Sequence, residues 1–134
     1  MSQENIDFIS ENVYANFQSG NIAGLMDVIA DDVAWNHHGP RDQVPFSGNW
    51  NGKAGAGEQL QAFVGDTETE KFDLQGIYAG GDKVIALIQE GCRVKSTGNS
   101  YETLVAHIWT VRDGMIVQFD ELYDSCAVAA AYKA

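Results

Sequence analysis

Two histidines and a glutamate carry most of the chemistry this sequence offers. His37 ends V-A-W-N-H, His107 lies inside Y-E-T-L-V-A-H-I-W (Tyr101 to Trp109), and Glu121 lies between Phe119 and Tyr123 in F-D-E-L-Y. Imidazole is the side chain that changes charge between pH 5 and 8 without special tuning. A carboxylate beside it orients one ring nitrogen and stabilises the imidazolium, which is what a general acid or base requires. Glu121 is costly to bury unpaired, so on an apolar strand face it needs a partner or a wet cavity. His37 and His38 are adjacent and point to opposite strand faces, which is wrong for shared metal ligation. His37, His107 and Glu121 have the donor types of a two-histidine, one-carboxylate set. Nothing in their spacing brings them to metal distances, and no metal or cofactor is expected.

The elements that must position these groups follow from periodicity. Tyr101, Thr103, Val105, His107 and Trp109 share one face of a strand; Glu102, Leu104, Ala106 and Ile108 share the other. One face is aromatic and polar, the other aliphatic after Glu102, as in a sheet that encloses a pocket on one side. Upstream, Ile6, Ile9, Val13 and Phe17 have helical spacing, ending at Gly20. A second short helix, capped by Asn21, presents Ile22, Leu25, Met26 and Ile29 and closes at Asp31-Asp32. Val33 to His37 reads as a strand with Trp35 and His37 on one face. His38 to Gly57 is irregular, rich in Gly and Pro, and long enough to suggest a lid carrying Phe46 and Trp50. Ala56 to Val64 is a third helix burying Leu60, Phe63 and Val64. Phe72 to Ala79, Lys83 to Lys95, Tyr101 to Arg112 and Met115 to Tyr123 then read as strands. Gly80-Gly81-Asp82, Ser96 to Asn99 and Asp113-Gly114 separate them with hairpin chemistry. Asp124 or Ser125 caps a last helix through Tyr132. The order is α+β, helices gathered on one face of a curved sheet.

At 134 residues and 45% hydrophobic, the chain has the size of one domain, residues 1–134, with a core that buries about two-thirds of its unfolded surface. Eight Lys and Arg against a net charge of −11 argue against a nucleic-acid groove or an anionic membrane surface. The acidic N-terminus does not resemble a signal peptide, no run approaches a membrane span, and the expected location is the cytoplasm. Cys92 and Cys126 form no metal spacing and no disulfide framework; free thiols are the expectation, with one disulfide as the alternative. The glycines of Gly48–Ala54 and Gly55–Leu60 lack the spacing of phosphate-binding loops. Val84 to Ile88 is continuously apolar, so both sheet faces need cover there. Val84, Ala86, Ile88, Leu104, Ala106 and Ile108 are expected to form an outer aliphatic face that a second subunit covers, giving a homodimer.

Three stretches carry a family resemblance: Y-A-N-F-Q-S-G-N-I-A-G-L-M-D-V-I-A-D-D at Tyr14–Asp32, P-F-S-G-N-W-N-G-K at Pro45–Lys53, and T-V-R-D-G-M-I-V-Q-F-D-E-L-Y-D at Thr110–Asp124. With them the chain resembles the SnoaL-like and ketosteroid isomerase-like families of the nuclear transport factor 2-like superfamily. The resemblance implies a cone: a curved antiparallel sheet wrapped around N-terminal helices, the cystatin-like α+β barrel, dimeric and holding a deep pocket. In the isomerases an Asp base sits on the first strand, at the position of His37 here. Their protonated Asp falls at His107, and their Tyr donor falls nearest Val13, with Tyr14 one residue away and turned aside. None of these residue types matches, so steroid isomerisation by that mechanism is not expected. The same register turns Gln89, Thr103, His107, Phe119, Glu121 and Tyr123 inward, with Trp35 and His37. A single β-bulge would turn Asp120 inward in place of Glu121.

The expected site is therefore His37, His107 and Glu121 as acid–base groups, with Trp35, Trp50, Phe63, Gln89, Thr103, Phe119 and Tyr123 around a small, largely apolar organic ligand. Three functions fit: cofactor-free isomerisation, cyclisation or dehydration; non-catalytic binding of an apolar metabolite; or a dimeric interaction module with a vestigial pocket. The enzyme needs a polar pair meeting in a cavity, the binder only the cavity, and the module a filled cone.

Overall fold

The structure, a computed structural model, describes residues 2–134. The first helix runs through three segments, α1 (Ser2–Ile9), a π-helical turn (Ser10–Tyr14) and α2 (Ala15–Ser19). An α-helix alone would bring Ile9, Val13 and Phe17 to one face. The π turn inserts one residue into that spacing, so Val13 and Tyr14 are both buried. Gly20, in the left-handed region at φ 76°, ends the helix.

Helix α3 (Ile22–Asp27) is capped by Asn21, whose side chain accepts from the Gly24 amide. It stops at Asp27, earlier than the sequence suggested. Ile29 opens strand β1 (Ile29–His37) and is fully buried, while Asp31 and Asp32 are exposed where the strand loses register between Ile29 and Ala34. The acidic pair is a strand irregularity rather than a helix end. The expected long lid is also shorter: β2 (Gly48–Asn51) pairs with β1, and helix α4 (Gly52–Asp66) follows directly. Gly55 lets α4 approach β2, since a Cβ there would lie 3.1 Å from the Trp50 carbonyl carbon.

The remaining strands are β3 (Thr67–Gly80), β4 (Lys83–Val94), β5 (Ser100–Arg112) and β6 (Met115–Leu122), followed by helix α5 (Ser125–Ala131). Asp113 and Gly114 join β5 to β6 with φ of 52° and 73°, the two left-handed positions of a tight hairpin turn. Asp124 caps α5 by accepting from the Ala127 amide. Strand order is β2-β1-β6-β5-β4-β3. Neighbours are antiparallel except β1 and β6, which are parallel, so the curved sheet is mixed rather than purely antiparallel. The parallel contact arises because β1 returns beside the last strand, with the other elements between them in sequence.

Cross-strand pairing fixes which side chains share a face. Val84 pairs with Trp109, Ala86 with His107 and Ile88 with Val105, and all six are buried on the helix-covered concave side. This corrects the expected outer face. Val84, Ala86 and Ile88 belong inside, and the outer aliphatic residues are Ile85, Leu87, Leu104, Ala106 and Ile108. Tyr78, Ile85, Leu104 and Leu122 remain exposed there. A continuous apolar run conceals parity; its partners on β5 reveal it. Cys92 and Cys126 are both free thiols, and burial pushes the Cys92 thiol up to about 12. No described helix is long and apolar enough to cross a membrane.

Candidate functional site

The inner face of β5 delivers His107 between two hydrogen-bonding partners. On one side the Tyr14 hydroxyl lies 2.9 Å from His107 Nδ1, with the two rings nearly parallel. On the other, Glu121 Oε1 lies 2.9 Å from His107 Nε2. The Trp109 indole N–H donates to the Tyr14 oxygen at 3.1 Å. An indole only donates, so Tyr14 accepts from Trp109 and its own proton is free to go to Nδ1. With His107 neutral, Nε2 then carries the ring proton and donates to Glu121.

β1 brings the second imidazole alongside. His37 pairs across the parallel ladder with Glu121, and its Nε2 lies 3.4 Å from the same carboxylate oxygen. Gln59, buried on α4, sets the local proton pattern. Its Oε1 accepts from the Trp35 indole at 3.0 Å, which leaves its amide nitrogen to donate to His37 Nε2 at 3.0 Å and to the Phe46 carbonyl at 3.3 Å. Neutral His37 thus offers Nε2 to Gln59. Protonation at Nε2 would exchange that bond for one to Glu121. Replacing Gln59 with Leu strands the Trp35 N–H and the Phe46 carbonyl, and is expected to cost about 2–4 kcal/mol in a denaturation experiment.

Glu121 is the hub. Burial alone would raise its pKa, but once His37 is protonated its charge, with the hydrogen bonds from His107 and His37, outweighs burial and holds Glu121 below the usual carboxylate range. Its second oxygen, Oε2, has no hydrogen-bond partner among the described residues. Asp120 points to the other face, where His38, Asn36 and Gln118 bond it. The bulge that could have reversed this parity lies earlier in the strand, between the pairs Thr110–Gln118 and Val111–Ile116. Tyr14 is pushed well above the ordinary phenol range by burial, against the Trp109 hydrogen bond, and so stays a hydroxyl.

These groups line one cavity that opens to solvent at its mouth. His37, His107 and Glu121 meet there, and Trp35, Phe63 and Phe119 form part of its wall. Four expected ligand contacts fall elsewhere. Gln89 is on the outer face, paired with Leu104 and bonded to Glu102, because the inward parity of β4 runs through Ile88 and residue 90. Trp50 is held off the cavity by its indole bond to the Ser47 carbonyl and by Arg41, 3.9 Å over its ring. The Thr103 hydroxyl accepts from the Asp124 amide and secures the entry to α5. Tyr123 packs on Phe46, their ring centres 6.1 Å apart.

Three of the lining residues missing from the expected site carry hydroxyl, amide or carboxyl groups: Tyr14, Gln59 and Glu90. Tyr14 is not turned aside, because the π turn rotates it inward. Gln59 could have been found as the polar residue within the apolar stripe of Ala56, Leu60 and Phe63. Glu90 follows from Val84, Ala86 and Ile88 once β4 is paired with β5. Among the described residues no group of three or more His, Cys, Asp or Glu has the arrangement of a metal site.

The curved six-stranded sheet with its helices is the fold of nuclear transport factor 2-like proteins. Residues 11–119 match the SnoaL-like domain, and the chain belongs to the SnoaL-like family. An NTF2-like protein from Burkholderia xenovorans LB400 has a similar structure, with a TM-score of 0.88 at 27% identity over 99% of this chain and 98% of that one. TerC, co-crystallised with polyporic acid, matches at 0.80 and 23% identity over 97% and 98%. A proposed isomerase from Rhodopseudomonas palustris matches at 0.79 and 16% over 95% and 94%. The last two likenesses extend to the fold alone. No curated protein matches the sequence.

Proposed function

We propose that this protein is an enzyme of cofactor-free acid–base chemistry, moving a proton on a small, largely apolar organic molecule. The observation that carries this reading is the unbroken chain from Trp109 through Tyr14 and His107 to Glu121, with His37 at 3.4 Å, inside an aromatic cavity. An ionised carboxylate backed by two imidazoles can accept one proton without leaving the cluster charged, because an imidazolium and a carboxylate then face each other. Glu121 Oε2 is the open acceptor. The Tyr14 hydroxyl and the ring protons are the donors available to oxygen on the ligand. An open cavity disfavours the filled cone that an interaction module requires.

Deuterium wash-in tests this reading without knowledge of the natural substrate. Cyclic ketones and enones are incubated with the protein in D2O, and loss of the C–H signal beside the carbonyl is followed by NMR. Catalysed exchange by the wild type supports the enzyme. Saturable binding with no exchange across the panel would leave a non-catalytic binder of apolar metabolites.

The same proposal includes a homodimer through the outer sheet face, supported by the exposure of Leu104 (53%), Leu122 (45%) and Tyr78 (58%) on that face. Sedimentation is expected to give a dimer, and Leu104→Asp a folded monomer. A wild-type monomer at micromolar concentration would contradict the assembly.

A further inference from the structure

Two buried indoles stand at the heads of the two hydrogen-bond chains that converge on Glu121. Trp35 and Trp109 are both buried, and an indole N–H donates but never accepts. Each indole therefore fixes the direction of the bonds that follow it. From Trp109 the chain runs through the Tyr14 oxygen to His107 Nδ1, so the His107 ring proton sits on Nε2 and is donated to Glu121. From Trp35 it runs through Gln59 Oε1, and the Gln59 amide nitrogen then meets His37 Nε2. The first chain delivers its donor to Nδ1 of one ring, the second to Nε2 of the other. The two neutral imidazoles are thus left in opposite tautomers. His107 presents an N–H to Glu121, whereas His37 presents a lone pair.

Gln59 has no second orientation to choose. It is buried, and every polar position of its amide is used: Oε1 by the Trp35 indole, the amide nitrogen by His37 and by the Phe46 carbonyl. Turning the amide over would set its oxygen against the Phe46 carbonyl and its N–H groups against the indole, stranding buried donors and acceptors on both sides. His37 has no outlet on the far side of its ring either. Its Nδ1 is buried and without a hydrogen-bond partner among the described residues. Proton traffic at His37 is therefore confined to Nε2, 3.0 Å from the Gln59 amide and 3.4 Å from Glu121 Oε1.

Resting on the acid–base reading of Glu121, we infer that Gln59 is a positioning residue that holds His37 as the proton acceptor of the centre and leaves His107 as its fixed donor. Glu121 takes the proton from a ligand C–H bond, whose electron pair stays on the ligand. The proton then passes to His37 Nε2: the carboxyl O–H bond breaks, an N–H bond forms, and a carboxylate faces an imidazolium. In that state the Gln59 amide has lost its acceptor and is a buried unpaired donor. Gln59 thereby biases His37 back to the neutral ring, and the proton returns through Glu121.

Long-range proton–nitrogen-15 NMR shows which ring nitrogen carries a proton. Spectra are taken at about pH 9, above the ordinary histidine range, with His38→Ala and His107→Ala assigning the rings. The wild type is expected to show His107 protonated at Nε2 and His37 at Nδ1. Gln59→Glu replaces the amide donor with an acceptor, so His37 should carry protons on both nitrogens at the same pH while His107 is unchanged. Wash-in should then fall by at least about tenfold, because the acceptor is already filled, with circular dichroism confirming the fold. A side chain that merely packs would not move the nitrogen signals of one ring. Wild-type His37 protonated at Nε2 would overturn the inference, as would a folded Gln59→Glu protein in which His37 stays singly protonated or wash-in keeps its rate. Should Gln59→Glu fail to fold, the wild-type spectrum decides alone. Opposite tautomers without any wash-in by the wild type would remove the enzyme and leave the hold of Gln59 on His37 standing.

Discussion

Glu121→Gln is expected to slow deuterium wash-in at least a hundredfold while the protein stays folded. The amide cannot accept the proton, and general acid–base groups typically contribute 10²–10⁴-fold, so the loss should fall in about that range. His107→Ala should cause a loss of similar size, because the ring that orients Glu121 and receives the Tyr14 hydroxyl is gone. The double variant should be little worse than either single one, since groups acting as a unit lose their effect together. Losses that multiply would mean that the two residues act separately. His38→Ala serves as the control, for His38 bonds Asp120 on the opposite face and should leave exchange unchanged.

The second large effect is on stability, and its sign is unusual. Glu90 has a folded-state pKa of about 8 against an ordinary glutamate value of 4.5. A raised pKa means that the folded state holds this proton more tightly than the unfolded chain. The stability linked to it is complete below the ordinary value and is lost as pH rises through about 8. Wild-type unfolding free energy should therefore decline between about pH 4.5 and 8, by on the order of 4 kcal/mol from this group. Glu90→Gln should remove the decline and be the more stable protein at pH 9, although it was made in the core. Urea titrations at pH 5, 7 and 9 measure this directly. Parallel pH profiles for the two proteins would show that Glu90 titrates normally. Glu121 contributes with the opposite sign. Its lowered pKa gives stability that is present above the ordinary glutamate range and lost as pH falls toward its folded value.

Much of this arrangement was legible before any coordinates. Period-2 alternation from Tyr101 to Trp109 places His107 inward, as observed, because one face is consistently buried and a one-residue slip would expose Trp109. Asp113-Gly114 marks its turn through backbone chemistry that few other pairs satisfy. What escaped the sequence was whatever interrupts a period. The π turn at Ser10–Tyr14 changes which face Tyr14 takes, and no residue type announces it. The loss of register in β1 makes Asp31-Asp32 look like the end of a helix. Thr67 to Lys71 begins the edge strand β3 with mostly exposed residues, so it lacks the buried face that would mark it as a strand. Glu90 was hidden for another reason. A strand that is apolar at every position from Val84 to Ile88 carries no parity of its own, and the choice between Gln89 and Glu90 is made by its neighbour β5.

The account rests on two carboxyl groups in one cavity pushed in opposite directions: Glu121 kept ionised by its imidazoles, and Glu90 kept protonated by burial and by the charge of Glu121. Carbon-13 NMR of side-chain-labelled glutamate reads both directly between pH 3 and 10, with Glu90→Gln and Glu121→Gln assigning the signals. The expected result is a Glu121 carboxyl resonance that stays at its ionised position through the usual glutamate range, and a Glu90 resonance that moves with a midpoint near 8. Two carboxyls titrating together in the ordinary range near 4.5 would contradict it.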